Sequence, residues 1–168
     1  MYKRQVKVGE KPPNFKLENT RGEKISLSDF EGKQNVYLVF NRGFAWPYCR
    51  GHMAQLRQDY EAFKKRNTVV IAVGPDSKRD FQKFWKQKEI PFIGLADPKH
   101  KAAKKYEQEV NILKFGRVPA QMLIDKNGVL KYVHYSNSMS DIPDNKEILA
   151  KIDAVSYTHL TLPTNREV

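Results

Sequence analysis

The stretch "NVYLVFNRGFAWPYCRGHMAQL", residues 35 to 56, decides how the rest of the chain is read. Its first six residues form an apolar run of the length expected for a strand buried on both faces. After the break "NRGFAW", apolar residues recur from Pro47 onward at Met53, Leu56, Tyr60 and Phe63. That is helical spacing, and Pro47 sits where a first turn tolerates proline. Cys49, the only cysteine of the chain, falls in the opening turn, three residues after Trp46. A strand, a loop and a single helix with the thiol in its first turn, reaching "KKRN", are therefore expected.

On the N-terminal side, "NFKLENTRGEKISLSDF" (14–30) places Phe15/Leu17 and Ile25/Leu27 around an Asn-Thr-Arg-Gly turn, which is a hairpin signal. On the C-terminal side, "TVVIAVG" (68–74) reads as a second buried strand. "DSKRDFQKFWKQKE" reads as a capped amphipathic helix with Phe81, Phe84 and Trp85 on its apolar face. "PFIGLAD" is a short strand and "PKHKAAKKYEQEV" a short helix. "AQMLIDKNGVLKYVHY" is a hairpin around Lys126-Asn127-Gly128, and "DNKEILAKID" is a closing helix behind an Asp or Asn cap. The order β-hairpin, β, α, β, α, β, α, β, β, α gives an α/β layer architecture with a central mixed sheet flanked by helices.

The chain has 168 residues, 40% hydrophobic and 29% charged, enough for one domain with a core and a well solvated surface. One cysteine excludes an intramolecular disulfide framework and a Cys-rich zinc site. No apolar run approaches the length of a membrane span, and "MYKRQVKVGEKPPNF" lacks the apolar core of a secretory signal. A cytoplasmic, reducing setting is expected. The formal charge of +11 raises the question of nucleic acid, but Lys and Arg are scattered along helix faces, as in "KRDFQKFWKQKE". Neither a nucleic-acid nor a membrane partner is expected. The last fourteen residues, "VSYTHLTLPTNREV" (155–168), continue no apolar period and resemble a translated sequencing adapter. The expected domain is 1–154, with 155–168 as a non-native tail.

These segments together carry a family resemblance over about residues 6–154. "VGEKPPNFKLENTRGEKISLSDFEGKQNVYLVF", the helix opening on Cys49, "LADPKHKAAKKYEQEV" and "PAQMLIDKNGVLKYVHY" resemble the peroxiredoxins of the alkyl hydroperoxide reductase and thiol-specific antioxidant superfamily. The resemblance implies a thioredoxin-like fold. More narrowly, "RGFAWPYCRGHMAQL" is similar to a peroxiredoxin-like branch whose loop reads R-G-x-x-C-P-x-C-R, with Trp46 standing at the first cysteine. Peroxiredoxins proper use P-x-x-x-[ST]-x-x-C, and here Arg42 falls on the proline and Trp46 on the hydroxyl. The arginine of their R-x-x-F-I-I-D stretch falls on Pro119, which matches the cis-proline of thioredoxins instead.

The resemblance implies that Cys49 is a nucleophile against a hydroperoxide or a disulfide. The sulfenic acid so formed is reduced by an external thiol such as a thioredoxin or a small thiol. No metal or organic cofactor is implied, and a homodimer is left open. A free thiol is about 3% ionised at pH 7. A helix N-terminus lowers a thiol pKa, and Arg42, Arg50 or His52 could add positive charge. Each residue has a plainer reading as well. Cys49 could be a small core residue, His52 a helix-flank residue, Arg50 a solvated one, and His134 a structural strand residue. Trp46 either shields the thiol or anchors the loop. The competing function is a non-catalytic thioredoxin-fold binding or scaffold protein that has lost the Thr and Arg of the motif.

Overall fold

The computed structural model describes residues 6–106, 110–111, 116–117 and 119–166. β1 (Lys16–Glu18) and β2 (Lys24–Ser26) make the expected antiparallel hairpin. Its turn runs through Gly22 at φ 84°, where a side chain would be strained. A 3-10 turn over Leu27–Phe30 follows, closed by a capping box between Ser26 and Asp29. β3 (Asn35–Phe40) is buried along its whole length.

The expected single helix is instead two, α1 (Pro47–Gln58) and α2 (Tyr60–Lys65), broken at Asp59. Asp59 takes φ −99° and ψ 9°, outside helical values, while its N–H still reaches the Gln55 carbonyl at 3.1 Å. Buried Asn145 donates through Nδ2 to the Gln55 carbonyl at 3.1 Å and to Asp59 Oδ2 at 2.9 Å. β4 (Thr68–Gly74), α3 (Lys78–Gln87) and β5 (Ile93–Ala96) follow. Ser77 caps α3 by accepting the Asp80 N–H at 3.1 Å.

α4 (Lys101–Lys105) is held by the buried Asp97 carboxylate, which accepts the amides of Lys101, Ala102 and Ala103 at 2.7, 3.0 and 3.1 Å. β6 (Val110–Asn111) and β7 (Gly116–Arg117) form a small antiparallel pair. β8 (Ala120–Ile124) and β9 (Leu130–Tyr135) form the second expected hairpin, with Gly128 at φ 81°. α5 (Asn145–Arg166) begins behind Asp144, whose carboxylate accepts the Lys146 N–H. It continues past 154 through Arg166, and no glycine or proline between 145 and 162 stops it.

The main sheet has the order β5-β4-β3-β8-β9. β3, β4 and β5 are parallel, while β8 and β9 join antiparallel, so the sheet is mixed as expected. Strand alternation sorts its residues onto two cores. Tyr37, Val39, Val70 and Ala72 pack with Met53 and Leu56 of α1, Phe81 and Trp85 of α3, and Ile148 and Ile152 of α5. Val36, Leu38, Phe40, Ile71 and Val73 pack on the other side with Phe15, Ala102, Ala103 and Tyr106. Phe40 is level with Val73 on β4 and with Ala120 on β8. The loops leaving β3 and β4 and the start of β8 therefore meet at one edge, where ligands bind in open α/β sheets.

Candidate active site

Cys49 is set at that edge by the chain's own turn chemistry. After β3, Gly43 takes φ 141°, a conformation that strains any residue with a side chain, and its Cα faces Asp76. Asp76 follows β4 and accepts the Phe44 N–H at 3.1 Å, tying the two loops together. Phe44 then stacks on Phe84 of α3 at 4.1 Å and meets Phe81 edge-on at 4.8 Å. Trp46 is the N-cap of α1 and Pro47 its first residue, so Cys49 occupies the third helical position, with its N–H on the Trp46 carbonyl at 3.1 Å.

The thiol is 1% exposed. Its Sγ accepts the Arg42 backbone N–H at 3.4 Å. Burial pushes the Cys49 pKa up. The amides of Arg42 and Gly43 and the Arg42 charge pull the other way, while Asp76 adds to the rise. The expected lowering by the helix N-terminus is therefore overcome by desolvation in this closed arrangement.

Arg42 and Trp46 are brought together, the guanidinium lying 3.7 Å from the centre of the indole ring. That contact ties the indole to the loop, as the ring contacts of Phe44 also do. Arg50 is exposed and donates to the Phe44 carbonyl at 2.8 Å, so it staples the loop and is neither a free solvated cation nor a partner of the sulfur.

His52 corrects both expectations for it. It is 4% exposed, inside the core, and burial lowers its pKa to about 4, so it is neutral at pH 7 and adds no positive charge beside the thiol. On α1 it shares the inward stripe of Cys49, Met53 and Leu56, which the helical period places together. His134 is half-buried, with Nε2 3.1 Å from an Asp141 carboxylate oxygen, in keeping with a structural role. Pro119 is buried one residue before β8, at the edge where the β3 loop departs. The bond entering it comes from Val118, so the expected cis isomer lies outside the described residues.

Sequence reasoning missed Asp76, Asn41 and Gln121. The available signal was topological, because all three stand at the same ends of buried strands as the cysteine loop. Among the described residues no cluster of His, Cys, Asp and Glu suits a metal ion.

The sequence profile of the AhpC/TSA family matches residues 8–133. The chain is 31% identical over 130 residues to "Peroxiredoxin Bcp" of Bacillus subtilis, a match covering 74% of this chain and 82% of that one. It is 33% identical over 132 residues to "Peroxiredoxin Q, chloroplastic" of Triticum aestivum, covering 77% of this chain and 59% of the wheat protein, less than two thirds of its length. Among solved structures, the reduced 2-Cys peroxiredoxin of Plasmodium vivax superposes with a TM-score of 0.81 at 26% identity, over 90% of this chain and 83% of that one. With the family profile spanning residues 8–133 and a peroxiredoxin structure superposing on the same fold, the chain belongs to the AhpC/TSA family as a peroxiredoxin-like protein of thioredoxin fold.

Proposed function

We propose that the chain is a thiol-dependent peroxidase in which Cys49 attacks a hydroperoxide and an external thiol restores it. Peroxidase and thiol oxidoreductase chemistry is the class of its relatives. The observation that carries the assignment to this residue is the placement of the only cysteine in the first turn of α1, its sulfur accepting the Arg42 N–H. The thiolate is the attacking form. Its sulfur takes an oxygen, giving a sulfenic acid, and a second thiol must come from outside because residues 1–168 hold one cysteine.

A thioredoxin-type protein or a small thiol fits the reductant's part, and a lone free cysteine suits a reducing, cytoplasmic compartment. Two copies joined as a homodimer suit a thiol without an internal partner. Because burial raises the thiol pKa, little thiolate is present at pH 7, and the rate rises with pH as the thiol ionises.

The test is peroxide-dependent consumption of a model thiol by the wild type and by Cys49→Ser. Consumption by the wild type that disappears in the variant supports the reading. Equal rates, or no consumption by either, leave the chain as a non-catalytic member of the fold.

A further inference from the structure

Asn41 directly follows β3 and is 3% exposed, and Gln121 is the second residue of β8 and is 0% exposed. Among the buried carboxamides of the described residues, they are the two with neither oxygen nor nitrogen hydrogen-bonded. Both face the α1 side of the sheet. Gln121 pairs with Val39, which packs with Met53 and Leu56, and Asn41 lies two residues beyond Val39. The register makes them diagonal neighbours across the β3–β8 ladder. Asn41 also lies over Gly74, where an added Cβ would collide with its carboxamide, so the glycine makes room for the amide.

The next residue after Asn41 gives its N–H to Cys49 Sγ. Pro119, on which the peroxiredoxin arginine falls, shares the face of Gln121 by strand alternation. His52 Nε2, on the helix above, is a third polar atom without a partner. Buried amides left unbonded are destabilising, and two on one face of the sheet, at the end where the loop of the only cysteine departs, point to a ligand they bond in turn.

We propose, resting on the peroxidase reading above, that the Asn41 and Gln121 carboxamides donate the hydrogen bonds that receive the oxygen leaving a hydroperoxide under attack by Cys49. They take the part that a hydroxyl at position 46 and an arginine at position 119 play in the motif from which this chain departs. In the step, the sulfur lone pair forms a bond to the terminal hydroperoxide oxygen and the O–O bond breaks. Sulfur is oxidised to the sulfenic acid and the other oxygen leaves as alkoxide. The alkoxide takes up the proton released when the thiol ionised, so thiol and hydroperoxide become sulfenic acid and alcohol. The amide N–H groups act on the negative charge as it develops, where preorganised donors are most effective.

The test compares Asn41→Leu and Gln121→Leu with the wild type in two reactions of Cys49 at one pH, oxidation by tert-butyl hydroperoxide and alkylation by iodoacetamide. The expected result is a fall of about 100-fold in the peroxide rate, the cost of one such donor, with alkylation near the wild-type rate and melting temperature unchanged or higher. A peroxide rate near that of the wild type overturns the proposal. So does an equal fall in both rates, which would mean only that the cysteine had shifted. Should a leucine variant fail to fold, Asn41→Ala and Gln121→Met read the same ratio. A wild-type Cys49 inert to peroxide but open to alkylation refutes the peroxidase reading itself, and this inference with it.

Discussion

Asn35 and Asn41 stand at opposite ends of the buried stretch through β3, 6% and 3% exposed. Asn35 Oδ1 accepts the Lys126 N–H at 3.0 Å, and its Nδ2 reaches the Arg66 carbonyl and Thr68 Oγ1, each at 3.5 Å. Asn41 has none of these, and Gln121 beside it has none either. The same residue type thus closes the fold at one end of the strand and is left open at the other, which is the end that carries the cysteine. Sites that break a local rule of polar satisfaction without compensation are where function is to be sought.

The contrast gives expectations that can be broken. The largest concerns His52 at the open end. Its folded pKa of about 4 lies below the value of 6.5 in an unfolded chain, so its contribution is fully present above pH 6.5 and is lost as pH falls toward 4. The loss amounts to about 3 kcal/mol. Denaturant midpoints measured across that window should fall steeply for the wild type and more gently for His52→Leu, and parallel curves would show that His52 is not the buried neutral group described.

Next in size is Asn35→Leu, which strands the Lys126 N–H and should cost about 2 kcal/mol in urea unfolding. Asn41→Leu should cost nothing or stabilise, and equal losses would erase the difference between the two ends. The smallest effect concerns Trp46, whose N-cap position, three residues before Cys49, matches the spacing of C-x-x-C. Trp46→Cys should form a disulfide with Cys49, since a first helical turn holds such residues within the Cα separation of about 4.4 to 6.8 Å that the bond needs. Losing the Arg42–indole contact should cost about 1 kcal/mol. A folded variant whose mass shows two free thiols would break the likeness to the dithiol loop.

Much of this architecture was legible because it rests on local signals. The run from Asn35 to Phe40, the Ser77 cap and the turn through Gly128 each declare an element through period or backbone chemistry, and each stands where expected. The site was only half legible. The position of Cys49 follows from Pro47 and the helical period, but its electrostatics do not, since the helix terminus favours the thiolate and tertiary burial opposes it more strongly. His52 shows the same limit: the helical period sets it at the edge of the Met53–Leu56 stripe, but a polar side chain there reads as a flanking one and does not announce its full burial. The break at Asp59 coincides with the contact from Asn145, a residue 86 positions away, and no local pattern encodes such a contact. Asn41 and Gln121 escaped notice because each, taken alone, is an ordinary polar residue in or beside a strand, and only the register brings them to one face.

The most direct measurement is intact-mass analysis of the wild type and Cys49→Ser after graded hydroperoxide. The expected result is addition of one oxygen and then a second to the wild type, or a dimer linked through Cys49 of two copies, with each product absent from the variant. A thiol left unmodified at excess peroxide in the folded protein, or oxidation that persists without Cys49, would contradict the assignment of this residue as the nucleophile.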